Sequence, residues 1–120
     1  MKKKILVVDD EPDILQVITF RLDKAGYAVA GVSNGEEALR MVGEDRPDLI
    51  LLDVMMPGLD GFEVCRRIKE KTPGQKIIIY TAKVDGVNAA KARASGADDF
   101  TVKTADLKHI LDAIRKQISN

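Results

Sequence analysis

The sequence predicts an α/β three-layer sandwich, a five-stranded parallel sheet with helices on both faces. Three observations carry that reading. The runs Ile5–Val8, Leu49–Leu52 and Ile77–Tyr80 are continuous and β-branched or Leu-rich, as strands covered on both faces are and half-exposed strands are not. Between and after them lie stretches with apolar residues at helical spacing. Strand and helix then alternate five times, which calls for parallel strands joined by right-handed helical crossovers.

Each element has its own local reason. Strand 1, Ile5–Val8, lies between Lys2–Lys4 and an acidic group. The helix over Asp13–Ala25 places Ile14, Val17, Ile18 and Leu22 on one face and meets a C-capping glycine at Gly26. Strand 2, Tyr27–Val32, holds a glycine and two alanines and suits a sheet edge. Asn34 caps a helix over Glu36–Glu44 that buries Ala38, Leu39 and Val42. After strand 3, Leu49–Leu52, either Asp60 or Gly61 opens a helix with Phe62, Cys65 and Ile68 inside, closed by Pro73-Gly74. Strand 4, Ile77–Tyr80, leads to a short alanine-rich helix over Asp85–Ala94, stopped by Gly96. A second weak strand, Phe100–Val102, precedes a helix over Asp106–Ile118 that aligns Leu107, Ile110, Leu111, Ile114 and Ile118. With the strong strands central and the weak ones at the edges, the sheet order is 2-1-3-4-5. That order is flavodoxin-like, and its ligand site lies outside the carboxyl ends of the strands, at the switch between strands 1 and 3.

Composition sets bounds on function. The 120 residues, 45% hydrophobic and 32% charged, fit one domain over residues 1–120 with a core of its own. A lone cysteine, Cys65, excludes an internal disulfide, and a reducing, cytoplasmic setting is expected. The apolar run after Lys2–Lys4 stops at Asp9, too short for a secretory signal, and no run is long enough for membrane insertion. Nineteen basic and nineteen acidic side chains give zero net charge, and there is no Trp, so direct nucleic-acid binding is not expected. The balance is uneven along the chain: residues 1–60 hold 7 basic and 12 acidic groups, residues 61–120 hold 12 and 7.

The strand ends carry the chemistry. Asp9, Asp10 and Glu11 follow strand 1, Asp53 follows strand 3, Thr81 follows strand 4 and Lys103 follows strand 5. Two carboxylates about 5 Å apart at an effective dielectric of about 20 repel by roughly 3 kcal/mol. A converging acidic group therefore needs positive charge, from Lys103 and from a divalent cation. An all-oxygen, partly open site suits Mg²⁺. A carboxylate beside Mg²⁺, a lysine and a threonine hydroxyl is a set of parts for phosphoryl transfer.

The strings Val7-Val-Asp-Asp-Glu-Pro12, Leu51-Leu-Asp-Val-Met-Met-Pro-Gly-Leu-Asp-Gly61, Tyr80-Thr-Ala82 and Gly96-Ala-Asp-Asp-Phe-Thr-Val-Lys103 together resemble the receiver domain of two-component response regulators. The likeness covers essentially the whole chain and is to a chemotaxis-receiver-like single domain. It implies that Asp53 is the phosphoacceptor, charged from a phosphohistidine on a sensor histidine kinase or a histidine phosphotransfer protein. It implies Mg²⁺, with Mn²⁺ as a substitute, held by Asp9, Asp10, Asp53 and the backbone carbonyl of Met55. Thr81 and Lys103 would meet the phosphoryl oxygens, Ala82 would leave room beside the acceptor, and Phe100 would be the aromatic switch that reshapes helix 4, strand 5 and helix 5. Such a protein is a signalling phosphoprotein and not an enzyme in the ordinary sense, since it catalyses only its own phosphorylation and dephosphorylation. Its output would pass to a downstream protein target or to an output domain of a longer regulator.

One position departs from the family pattern. Thr104 stands where a proline, commonly preceded by a cis bond, is usual. A cis bond before a non-proline residue costs about 2.5–4 kcal/mol, so Lys103–Thr104 is expected to be trans, with Thr104 a candidate cap for the last helix. The same departure supports the alternative of a pseudo-receiver, a phosphorylation-independent binding module. A flavin protein is disfavoured because Asp9-Asp10-Glu11 would repel a phosphate, and an aspartate-nucleophile phosphatase because Met55 stands where a second aspartate is needed. Cys65 reads as a small core residue and His109 as solvated. Met41, Met55 and Met56 need no cofactor, with Met56 and Pro57 shaping the loop after Asp53. Lys91, Arg93, Lys108, Arg115 and Lys116 form either a solvated face or a partner surface.

Overall fold

The computed structural model describes residues 2–58, 60–82, 85–103 and 107–118. Its elements run β1 (Lys4–Val8), α1 (Pro12–Lys24), β2 (Ala28–Val32), α2 (Gly35–Glu44), β3 (Leu49–Asp53), α3 (Gly61–Lys71), β4 (Lys76–Thr81), α4 (Gly86–Ala94), β5 (Asp99–Val102) and α5 (Lys108–Gln117). All strand pairs are parallel and the sheet order is β2-β1-β3-β4-β5, as the strength of the apolar runs predicts.

The continuous runs are explained by two cores, one on each face. Leu6, Val8, Ile50, Leu52, Ile77 and Ile79 point to one side, where they meet Val64, Cys65 and Ile68 of α3 and Ala38 and Ala92 of α2 and α4. Ile5, Val7, Leu49, Leu51, Ile78 and Tyr80 point to the other, against Ile18 and Leu22 of α1 and Ile110 and Ile114 of α5. Strand side chains alternate between faces, so residues 9 and 53 continue the α1/α5 side of their strands, and Tyr80 shares it.

Helix ends follow the expected chemistry. The Asn34 side chain accepts from the Glu37 N–H at 2.8 Å, Asp60 from the Phe62 N–H at 2.9 Å and Asp85 from the Asn88 N–H at 2.8 Å. Gly26 and Gly96, past the ends of α1 and α4, have φ of 100° and 90°, the left-handed region that glycine enters without steric cost.

The structure differs from expectation on α1. Val17 is 53% exposed, while Ile18 and Leu22 are buried and Ile14 is half-buried. The helix sits on the sheet through a stripe 14-18-22, one residue every four. Val17 lies at the rim of a groove shared with Leu107 and Ile110. Thr104 and its peptide bond, and the start of the last helix at Asp106, lie outside the described residues.

Candidate functional site

The site is built where three central strands end. Val8 pairs with Leu52 and Asp53 pairs with Tyr80, so Asp9, Asp53 and the end of β4 lie side by side at the carboxyl edge of the sheet. Asp9 is fully buried and Asp53 is 1% exposed, while Asp10 is half-buried and Glu11 exposed. One carboxylate oxygen from each of the four lies within 4.8 Å of the others.

Local backbone geometry aims the two buried carboxylates. Asp53 Oδ1 accepts from the Met55 N–H at 2.9 Å, and Asp9 Oδ1 accepts from the Glu11 N–H at 2.9 Å. Both are the tight bonds an aspartate makes two residues on. Gly61 is required because α3 starts against this loop: a Cβ there would lie 2.5 Å from Val54 Cα and 2.9 Å from the Asp53 carbonyl oxygen.

Lys103 crosses from β5 to the centre of the group. Its side chain is 6% exposed, and Nζ stands 3.0 Å from Asp9 Oδ2, 2.6 Å from Glu11 Oε1 and 2.9 Å from Asp53 Oδ2. The ammonium donates to Glu11 and Asp53 and stands against Asp9 as an ion pair. Its backbone N–H donates to the Thr81 carbonyl at 2.7 Å, which fixes the root of the side chain beside β4. Burial works against the Lys103 ammonium, but the bonds to Glu11, Asp53 and Asp9 outweigh it and hold its pKa above the ordinary lysine value. Burial pushes the Asp53 carboxyl above its ordinary value, against the pull of the Met55 N–H and Lys103.

The sequence-predicted residues therefore meet, with differences in detail. Asp9, Asp53 and Lys103 touch directly or through one another. Asp10 lies within the acidic group, and among the described residues its carboxylate has no hydrogen bond or ion pair. Thr81 is fully buried at the end of β4, one residue beyond the partner of Asp53. Ala82 next to it is exposed, and so is Met55 at 58%. Phe100 pairs with Ile79, away from the acidic group, half-buried against the α2/α3/α4 core. Asp60 does not join the acidic residues, since it caps α3. Cys65 is buried with its thiol against the Ser95 carbonyl, and His109 is exposed.

Two contacts are absent from the sequence reading. Glu11 is a direct partner of Lys103, and the Tyr80 hydroxyl donates to Asp9 Oδ2. Burial first, and then the neighbouring Asp9 carboxylate, raise the Tyr80 phenol's pKa, which keeps it a donor. A signal for Tyr80 existed in the sequence: position 80 has the same strand parity as Asp53 and Asp9, and a hydroxyl on that parity at a strand end needs a polar partner.

The donor set fits a hard divalent cation. It is all oxygen, mostly carboxylate, fixed on the buried side by backbone N–H groups and open at Asp10 and Glu11, and Mg²⁺ binds through one or two carboxylates while keeping waters. Where Zn²⁺ would call for nitrogen or sulfur ligands, none stands here among the described residues.

Comparison with known proteins agrees. The model of the response regulator receiver domain family matches residues 5–115. The DNA-binding response regulator MtrA of Mycolicibacterium smegmatis is 39% identical over 98% of this chain and 51% of its own length. The alkaline phosphatase synthesis transcriptional regulatory protein PhoP of Bacillus subtilis is 44% identical over 86% of this chain and 43% of its own. The chain thus spans about half the length of the curated relatives it matches. Among solved structures, the response regulator protein TrrA of Thermotoga maritima, in complex with Mg²⁺ and beryllofluoride, superposes with a TM-score of 0.90 at 35% identity, covering 97% of this chain and 99% of that one. With the acidic group, the lysine and the sheet order all in place, the chain belongs to the response regulator receiver domain family.

Proposed function

We propose that this receiver takes a phosphoryl group onto Asp53 from a phosphohistidine, on a sensor histidine kinase or a histidine phosphotransfer protein, and changes surface in response. The observation that carries this is the Asp53 carboxylate itself: buried, 2.9 Å from Lys103 Nζ and among three further carboxylates at the open end of the sheet. An Asp53 oxygen attacks phosphorus, the P–N bond breaks and the imidazole leaves. Lys103 and the Thr81 hydroxyl hold the transferred oxygens as charge moves onto them. The residues that would hold the cation are Asp9, Asp10, Asp53 and the Met55 carbonyl, with Mn²⁺ able to replace Mg²⁺. When bound, Mg²⁺ supplies the positive charge that lets a phosphoryl group enter an acidic pocket. Attack by water on the same phosphorus breaks the bond to Asp53, releases inorganic phosphate and returns the carboxylate, a cycle in which the chain catalyses its own phosphorylation and dephosphorylation.

The readout runs through Thr81 and Phe100. Thr81 follows Tyr80 on β4, and Phe100 pairs with Ile79 two residues before Thr81. A half-buried ring beside a cleft lined by Ala89, Ala92 and Arg93 has room to turn when Thr81 is drawn to the phosphoryl group. That turn reshapes α4, β5 and α5. The recipient is an output region of the same polypeptide or a separate protein, and the domain works in the cytoplasm. The relatives named for DNA binding or transcription fit the first of these. No observation favours a phosphorylation-independent module.

Adding Mg²⁺ and beryllofluoride is expected to shift the amide resonances of Asp53, Thr81, Phe100 and Lys103, and to leave Asp53→Asn unchanged. A parent spectrum that does not respond would remove the proposal.

A further inference from the structure

Tyr80 stands out as a buried polar residue to which no role in phosphoryl transfer falls. It lies at the end of β4, fully buried, in the core between the sheet and α1/α5. Its hydroxyl donates across β3 to Asp9 Oδ2. Strands β1 and β4 both flank β3, so they are two spacings, about 10 Å, apart. A serine or threonine at position 80 could not span that gap, and a charged side chain would alter the charge of the pocket. A phenol reaches with a neutral donor.

The consequence for Asp9 follows from counting its bonds. A carboxylate offers about four lone-pair sites. Oδ1 receives the Glu11 N–H and Oδ2 receives the Tyr80 hydroxyl, while Lys103 Nζ stands against Oδ2 as an ion pair at 3.0 Å. Two sites are taken by hydrogen bonds and a third side faces the ammonium, which leaves one direction open. The carboxylate cannot rotate to turn that open side elsewhere without breaking a bond to Tyr80 or Glu11 or the ion pair to Lys103. Lys103 is shared with Asp53 and Glu11, and the Glu11 N–H belongs to the N-cap residue of α1, whose side chain is exposed. Tyr80 is the partner that approaches from the close-packed core, and the Lys103 ammonium lies 5.4 Å from its ring, so the ring also walls the pocket beneath the lysine. We propose that Tyr80 is a positioning residue of the cation site: acting through Asp9, it holds the carboxylate so that its remaining lone pair faces the other acidic groups, and thereby sets the affinity for the divalent cation.

The inference rests on the Mg²⁺ reading above, and the test separates the two. Mg²⁺ is titrated calorimetrically into the metal-free full chain, into Tyr80→Phe and into Tyr27→Phe. Loss of a hydrogen-bonding partner behind a metal ligand typically costs 10–100-fold in affinity. Tyr80→Phe keeps the ring and the core, and is expected to bind Mg²⁺ about tenfold or more weakly, with Tyr27→Phe at the parent value. Equal or tighter binding by Tyr80→Phe overturns the inference and leaves the Mg²⁺ reading standing, whereas a parent that takes up no Mg²⁺ overturns both. A second readout needs no change at position 80. The chain has no Trp and two tyrosines, so in Tyr27→Phe the ultraviolet emission comes from Tyr80 alone. A cation drawing electron density from Asp9 weakens the bond to the phenol, and that emission is expected to change along the calorimetric isotherm. Emission blind to Mg²⁺ while calorimetry records binding contradicts the proposal.

Discussion

The chemistry of Asp53 is altered by its surroundings. Burial raises its carboxyl pKa, so the folded chain keeps the proton to a higher pH than the unfolded chain does. Where the folded state binds more protons, stability falls as pH rises. This contribution is therefore present below the ordinary aspartate value of 3.8 and lost as pH climbs through the raised folded value. In metal-free buffer Asp53→Asn, which carries no charge, is expected to melt above the parent at neutral pH, with the gap closing as pH falls toward 3.8. Thermal melts across that range check it, and a variant that melts below the parent at neutral pH contradicts it. At this scale Asp9, Asp53, Thr81 and Lys103 were legible in the sequence, because each directly follows a run of apolar residues, and in the structure each stands at or just past the carboxyl end of a strand. Strand parity marks Tyr80 as needing a polar partner, but which groups Tyr80 and Glu11 meet depends on how far a side chain reaches across neighbouring strands.

At the scale of the element, caps and stops were readable and helix orientation less so. Asn34, Asp60 and Asp85 each satisfy an N–H in the first turn of the helix they open. A side-chain oxygen at the N-cap has this use wherever the helix packs. Replacing Asn34 by Ala leaves the Glu37 N–H without its partner and is expected to cost about 1 kcal/mol. A urea unfolding midpoint equal to that of the parent would show that the cap adds nothing. Val17 shows the limit: periodicity gives an apolar arc, but how α1 is rolled on the sheet depends on its fit against β2 and α5. That fit buries Ile18 and Leu22 and leaves Val17 and Phe20 more than half exposed.

Across the whole molecule, the split of charge becomes spatial. The acid of the first half supplies Asp9, Asp10, Glu11 and Asp53, which meet at one end of the sheet. The second half lends Lys103 to that end and leaves Lys91, Arg93, Lys108, Arg115 and Lys116 exposed on α4 and α5. Sheet order was legible because three runs are apolar throughout and two are diluted by Gly, Ala or Thr, and only a central strand must be apolar on both faces. As proposed above, this topology makes Asp53 a phosphoacceptor. Incubation with acetyl phosphate, followed by intact-mass and peptide mapping, tests it most directly. With Mg²⁺ the parent is expected to gain one phosphoryl group, mapped to Asp53, and to gain none in excess chelator. Asp53→Asn is expected to gain none in either buffer. A phosphoryl group that appears on the variant as readily as on the parent, or on the parent without a divalent cation, would contradict the account.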